Sequence, residues 1–297
     1  MTTLLLIDVQ RDFHPGGSLA IPSAGDDASR TASFIKKHAA SINRIVMTMD
    51  SHHKLHVAHP HFWTDEEGEH PSPFTLISTE DVEAGRWIPR KDLTWAGSKI
   101  KNGSLIDDEV FARGGSSPPN LYDADGNLDI VQYCIEYTRR LESKGRFKLC
   151  IWPEHCLVGS AGHNVVPEVM EAVQCWSGIT GGSVEWVHKG ENLLTEMYSA
   201  LSAEVPVDSG GTYNDGLLES LKGGTERLVM TGQALSHCVN YTVRDIVDRW
   251  PEGEMGKLTV LEDCASSVPG FEAAGEAFVK DMKEAGVMVE TSETFSP

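Results

Sequence analysis

Short apolar runs rich in Val, Ile and Leu alternate along this chain with longer stretches in which apolar residues recur every three or four positions. The first pattern suits strands buried on both faces and the second suits amphipathic helices, so their alternation points to βαβ units feeding a parallel sheet. Strands are predicted at 3–8, 44–49, 184–188, 227–231, 257–261 and 287–290, with helices at roughly 26–41, 163–175, 212–222, 236–249 and 270–285. The expected fold is therefore α/β, three layers deep, around a six-stranded and mainly parallel sheet. Pro22-Ser-Ala-Gly-Asp-Asp before the first helix and Pro269-Gly-Phe-Glu before the last supply turn and N-cap chemistry. No internal repeat is visible.

The stretch from about 61 to 148 breaks the rhythm. It is rich in charge, Gly, Pro and Ser, with Gly-Gly-Ser-Ser-Pro-Pro at 114–119 and Asp-Ala-Asp-Gly at 123–126. One helix is predicted over 128–144, through Leu128, Ile130, Val131, Cys134, Ile135 and Leu141, and no further strand. The whole chain reads as a single domain, 1–297, interrupted here by an inserted excursion. Asp123-Ala-Asp-Gly looks like a fragment of a calcium loop but lacks the remaining ligands and the terminal Glu, which makes it a plain turn.

Composition narrows the function classes. With 44 acidic against 25 basic residues the formal charge is −19, and no basic patch offsets it, so neither nucleic acid nor an anionic membrane surface is an expected partner. The N-terminus lacks a secretory pattern and no apolar run reaches membrane-spanning length, so a soluble, cytoplasmic protein is expected. Six cysteines without paired C-x-x-C spacing are expected to be reduced.

Four reactive residues stand at strand ends. Asp8, Asp50 and Lys189 each end an apolar run, and Cys238 opens a predicted helix just after the strand at 227–231. In an open parallel sheet the carboxyl ends share one edge, so these side chains should converge on one crevice. A free thiol is mostly protonated near neutral pH and needs a base or a cation to act as a nucleophile. Asp8 can take that proton and later return it to a departing amine, while Lys189 holds the anions. The peptide N–H groups at the turn into the Cys238 helix point where a tetrahedral oxyanion would develop. Each residue also has a plainer explanation: a packed cysteine, a snorkelling lysine, a capping aspartate.

A second group gathers around Asp50-Ser-His52-His-Lys-Leu-His56, with His59, His61 and the distant His155. A carboxylate with imidazoles suits zinc, iron or manganese. Several of these histidines are surplus to one ion, and His53, His59 and His61 read as ordinary loop residues.

Five ordered blocks carry a resemblance: Asp8-Val-Gln10-Arg-Asp12-Phe13 with the following Pro15-Gly-Gly-Ser-Leu-Ala, Asp50-Ser-His52-His-Lys-Leu-His56, Trp152-Pro-Glu-His155-Cys, Lys189-Gly with Tyr198-Ser-Ala, and Gly232-Gln-Ala234-Leu-Ser-His-Cys238-Val. Over about 1–60 and 150–290 the chain resembles the nicotinamidase branch of the isochorismatase-like cysteine hydrolases. The resemblance implies a triad of Asp8, Lys189 and Cys238, and a divalent metal, zinc first with manganese or iron as alternatives, on Asp50, His52 and His155. It also implies a cis peptide before Ala234, an oxyanion hole of the Ala234 and Cys238 N–H groups, and substrate walls of Phe13, Trp152 and Tyr198 beside Ala234.

The activity implied is hydrolysis of nicotinamide to nicotinate and ammonia through a Cys thioester, the partner being a small carboxamide, with a homo-oligomer plausible for the family. The alternatives are a sibling amidase acting on another amide, ureido or carbamoyl substrate, and a noncatalytic binding protein. Two departures stand out. The interval between His52 and Trp152 exceeds what the family ordinarily shows and would overhang the crevice, and Gln233 stands where an aliphatic residue is common.

Overall fold

The structure is a computed structural model that describes residues 1–95, 98–100, 121–145, 148–207 and 213–296. Six strands form one parallel sheet: β1 (Thr2–Ile7), β2 (Ile42–Asp50), β3 (Glu185–Lys189), β4 (Arg227–Gly232), β5 (Leu258–Leu261) and β6 (Met288–Glu290). Their spatial order is β6-β5-β4-β1-β2-β3. The chain thus winds outward from β1 in one direction and from β4 in the other. Between these two strands the connections diverge, which opens a crevice at the carboxyl edge. Each predicted strand is present within two residues of its expected ends.

Alternation along β1 sorts the layers. Leu4 and Leu6 pack with Ala28, Ala32 and Ile35 of α1 (Ala24–His38) and with Val169, Val173 and Trp176 of the later helix Pro167–Thr180. Leu5 and Ile7 face the other side, with Leu218, Val243 and Phe278 of three further helices. Burial on both faces is why β1 reads Leu-Leu-Leu-Ile without polar alternation.

In chain order the remaining helices are α2 (Thr79–Glu83), α3 (Ile130–Ser143), α4 (Pro167–Thr180), α5 (Asp215–Lys222), α6 (Cys238–Val247) and α7 (Glu272–Glu284). Local signals set their ends. Asp129 accepts from Val131 N and Gln132 N to start α3, and Asn214 accepts from Leu217 N to start α5. α4 begins later than the sequence pattern predicts because Pro167 occupies its first turn, and it ends at Gly181 in the left-handed region.

The 61–148 stretch contains more sheet than predicted. Three antiparallel ladders of two residues each join Trp63–Thr64 to Ile88–Pro89, Leu76–Ile77 to Leu149–Cys150, and Thr94–Trp95 to Ser98–Lys99. Two residues are too few for periodicity to register. α2 opens with a reciprocal cap between Ser78 and Asp81. Trp63, Ile77, Tyr133 and Tyr137 are fully buried in the same apolar cluster as Leu5 and Ile7. The run at 114–119 lies outside the described residues. Asp123 closes its own turn, its carboxylate accepting from Asp125 N and Asn127 N. The six cysteines form no disulfide, and no described helix is long and apolar enough to cross a membrane.

Candidate active site

The end of β1 passes into Asp8 with a positive φ of 48°, turning its carboxylate beneath the crevice. Thr48 Oγ1 donates to Asp8 Oδ1 at 2.6 Å, and Lys189 Nζ lies 2.9 Å from Oδ2. The ammonium also donates to Asp50 Oδ1 and to Met197 O, both at 3.0 Å, and stands 3.6 Å from Cys238 Sγ. All four side chains are buried. Asp8, Lys189 and Cys238 therefore meet at one point, with Asp50 sharing the same ammonium. Thr48, which the sequence reading did not single out, lies two residues before Asp50 on β2, so strand alternation puts it on the Asp50 side.

Electrostatics follow from this crowding. Burial pushes the Asp8 carboxyl up from its ordinary value, opposed by Lys189 and reinforced by Asp50. Burial likewise pushes the Cys238 thiol well up, and Lys189 pulls against it. Burial alone would lower the Lys189 ammonium, but Asp50 and Asp8 outweigh it and hold the charge firmly. The resting arrangement is thus a protonated thiol and a buried carboxyl group held beside a firmly cationic ammonium.

Two glycines make the geometry possible. A Cβ on Gly232, whose φ is 135°, would lie 1.9 Å from Ile7 O, so only glycine lets β4 end against β1. Gly190, φ 77°, directly follows the lysine, and a Cβ there would meet His52 Cε1 at 2.8 Å and Asp50 Oδ1 at 2.9 Å.

Cys238 is the first residue of α6, and the Gln233–Ala234 peptide before it is cis. Among the described residues neither the Ala234 nor the Cys238 N–H donates a hydrogen bond. Unpaired N–H groups at a helix N-terminus are suited to an anion.

The remaining carboxylate oxygen of Asp50 faces two imidazoles, 3.1 Å from His52 Nε2 and 3.3 Å from His155 Nε2. His52 Nδ1 is paired with Gly190 O at 3.0 Å and His155 Nδ1 with Pro153 O at 2.8 Å. Since a carbonyl only accepts, both rings carry a proton on Nδ1 and turn Nε2 toward the same Asp50 oxygen. Burial opposes a charge on the His52 imidazole, yet that carboxylate raises it from its ordinary value. With Nε2 unprotonated, these three atoms could share one cation, and backbone-oriented imidazoles with a carboxylate are a fitting donor set for a divalent metal.

The other histidines divide. His56 uses both nitrogens, toward Thr195 O and Ala58 N. His59 is fully buried beside His52 and His155, a placement the loop reading did not foresee, and its Nε2 is unpartnered among the described residues. His53 is exposed, and His61 lies against Glu154 and His70, apart from the cluster.

A small cavity opens above Cys238, walled by Phe13, Trp152, Tyr198, Ala234, His155 and Val268, with Leu19, Glu196 and His237 completing it. Trp152 Nε1 donates to Tyr198 OH at 3.0 Å, and Phe13 sits edge-on to His155 with ring centroids 5.5 Å apart. The two aromatic side chains thus brace each other rather than move freely. His237 and Glu196 were missed by sequence reasoning. His237 is next to the thiol in sequence, which was the available signal.

No family model matches the chain, and no curated protein does. Solved structures do. A yeast nicotinamidase bound to the inhibitor nicotinaldehyde aligns with 98% of this chain and 100% of its own, at a TM-score of 0.59 and 18% identity. A nicotinamidase/pyrazinamidase from Acinetobacter baumanii aligns with 98% of this chain and 96% of its own, at 0.56 and 19%. A pyrazinamidase of Pyrococcus horikoshii in complex with zinc aligns with 98% of both, at 0.52 and 18%. The fold is isochorismatase-like. At such identities the likeness is one of architecture.

Proposed function

We propose that this protein is a cysteine amidohydrolase acting on a small planar carboxamide, nicotinamide in the first place, with nicotinate and ammonia as products. The observation that carries the reading is one ammonium, Lys189, within reach of Asp8, Asp50 and Cys238 beneath a cavity lined by Ala234 and Cys238, whose N–H groups donate to no partner among the described residues. Asp8 takes the thiol proton as Cys238 Sγ bonds to the carbonyl carbon, and the carbonyl electrons move onto oxygen facing the Ala234 and Cys238 N–H groups. When the tetrahedral centre collapses, Asp8 returns the proton to nitrogen and ammonia leaves. Water then adds to the thioester, with Asp8 again as base, and releases the acid and the thiol.

Asp50, His52 and His155 would hold a divalent metal, and the zinc of the P. horikoshii structure supports zinc as that ion. Bound there, such an ion would supply positive charge to a ring acceptor of the substrate, beside the cavity that Asp50 and His155 line. Phe13, Trp152 and Tyr198 would flank the ring, since aromatic walls gain from a flat apolar surface. The same walls favour an aromatic amide over a ureido or carbamoyl substrate. We also propose that the chain is one domain with 61–148 as an excursion, a reading supported by the apolar cluster that Trp63, Ile77 and Tyr133 share with Leu5 and Ile7.

The test is ammonia release from nicotinamide and a panel of other amides, with Cys238→Ala as control. Turnover by the wild type and its abolition in the variant, with melting temperature retained, are expected; near-normal release by Cys238→Ala would exclude the mechanism.

A further inference from the structure

Gln233 is 1% exposed, yet its side chain is a carboxamide with both ends satisfied by protein. Its Nε2 donates to Asp27 Oδ2 of α1 at 2.9 Å, and its Oε1 accepts from Ser266 N at 3.3 Å. Its backbone N–H is tied to Ile7 O, at the end of β1, at 2.8 Å. Asp27, itself 2% exposed, is held in turn by Arg30, whose guanidinium donates to Asp27 Oδ1 at 2.7 Å and to the carbonyl of Asp263. The segment after β5 is stitched to the same turn twice more, by Leu235 N to Ser266 O at 2.8 Å and by Val268 N to Ser236 Oγ at 3.1 Å.

This places three separate parts of the chain, the end of β1, helix α1 and the segment after β5, around the residue whose carbonyl carbon bears the Ala234 nitrogen. An oxyanion hole accelerates a reaction only when its donors are aimed before the charge develops. The Ala234 N–H has no partner of its own among the described residues to aim it. Its direction is set by the peptide it shares with Gln233, and Gln233 is clamped at backbone and side chain alike. A packing role alone would be met by an apolar side chain of the same shape, without the cost of burying an amide and a carboxylate.

We propose that Gln233 is a positioning residue for the oxyanion hole, acting through Asp27 and Ser266 to hold the Ala234 N–H toward the tetrahedral oxygen. The proposal rests on the thioester reading above. Its signature is selectivity for the tetrahedral state. An aldehyde analogue reports it directly: Cys238 Sγ bonds to the aldehyde carbon, the carbonyl electrons move to oxygen, and the thiol proton passes to Asp8, with no leaving group. Nicotinate carries the same ring and makes no such adduct.

The experiment compares wild type, Gln233→Met, Asp27→Asn, and the double variant Gln233→Glu with Asp27→Asn, which reverses the donor and acceptor of the buried pair. Gln233→Met should lower kcat by about 10- to 100-fold, less than the loss of an oxyanion donor outright, with KM nearly unchanged. Affinity for nicotinaldehyde should fall by the same factor while affinity for nicotinate holds. The double variant should recover most of both losses. An unchanged kcat, or equal loss of affinity for aldehyde and acid, overturns the proposal. Should Gln233→Met fail to fold, the Asp27→Asn and double variants decide it by the same comparison. A wild type that releases no ammonia from any carboxamide refutes the underlying reading instead, and is distinguishable from an active wild type that Gln233→Met leaves untouched.

Discussion

Lys189 Nζ and Asp50 Oδ1 are 3.0 Å apart, so the proposed catalytic triad and the proposed metal ligands share an ion pair instead of standing as neighbours. Asp50 meets the lysine through one oxygen and both imidazoles through the other. Burial alone would raise its carboxyl, and His52 with Lys189 hold it well below the ordinary range.

From this sharing, the two sites should fail asymmetrically. Lys189→Met should lose turnover by about 10³-fold or more while zinc content, read by elemental analysis, stays close to one ion per chain. Asp50→Asn should lose both. Retention of zinc by Asp50→Asn would show that the carboxylate is no ligand.

Gly190→Ala offers a gentler probe of the same junction. The left-handed backbone at this position costs an alanine roughly 1–2 kcal/mol, and the added methyl would press on His52 and Asp50. A lower melting temperature together with weaker zinc binding in a chelator competition is expected. Weakened stability with unaltered zinc affinity would mean the imidazole moves aside freely.

The pH dependence has a determined sign. Asp8 must be ionised to accept the thiol proton, and burial raises its pKa above 3.8, so it takes up a proton at a higher pH than an ordinary aspartate. kcat/KM should therefore decline on acidification beginning above that value. Cys238 and Lys189 both titrate well above 9.0 and 10.5, so no alkaline decline from either should appear below pH 9. Because thiol and carboxyl are coupled, the profile measures the pair.

His237 should contribute to loss of stability in acid. Burial lowers its pKa from 6.5 to about 4, so between these values the unfolded chain binds the extra proton and the folded protein does not. Stability should fall as pH drops through this window, by about 3 kcal/mol from this residue when complete. Replacing His237 with Phe, which keeps the edge-on packing against Trp152 and Phe271, should flatten the decline in melting temperature. An unaltered slope would assign the decline to the other buried imidazoles, His56 and His59, which are shifted in the same direction.

Much of this arrangement is written locally in the sequence. β1 and β4 declare themselves by unbroken apolar runs, and a parallel sheet then obliges Asp8, Asp50 and Lys189 to share an edge. Other parts have no local trace. The Met197 carbonyl that accepts a hydrogen bond from Lys189 belongs to an irregular segment, and no pattern announces a backbone acceptor. His59 and His61 look alike in sequence, and only the turn at Pro60 sends one into the core and leaves the other at Glu154. The ladders within 61–148 are pairings of two residues, formed by contacts across the fold.

The placement of β4 beside β1 has a bearing on how this polypeptide emerges from the ribosome. Thr2 pairs with Arg227 and Ile7 with Gly232, so one flank of the earliest strand stays open until more than two hundred further residues have been made. Until then its Leu-rich edge is a liability for aggregation, and the proposed nucleophile, carried just beyond β4, is made only after that strand. Nascent chains stalled ahead of β4 should therefore be chaperone clients that lack Cys238, and the crevice is walled in full only once Val268, beyond β5, has been added.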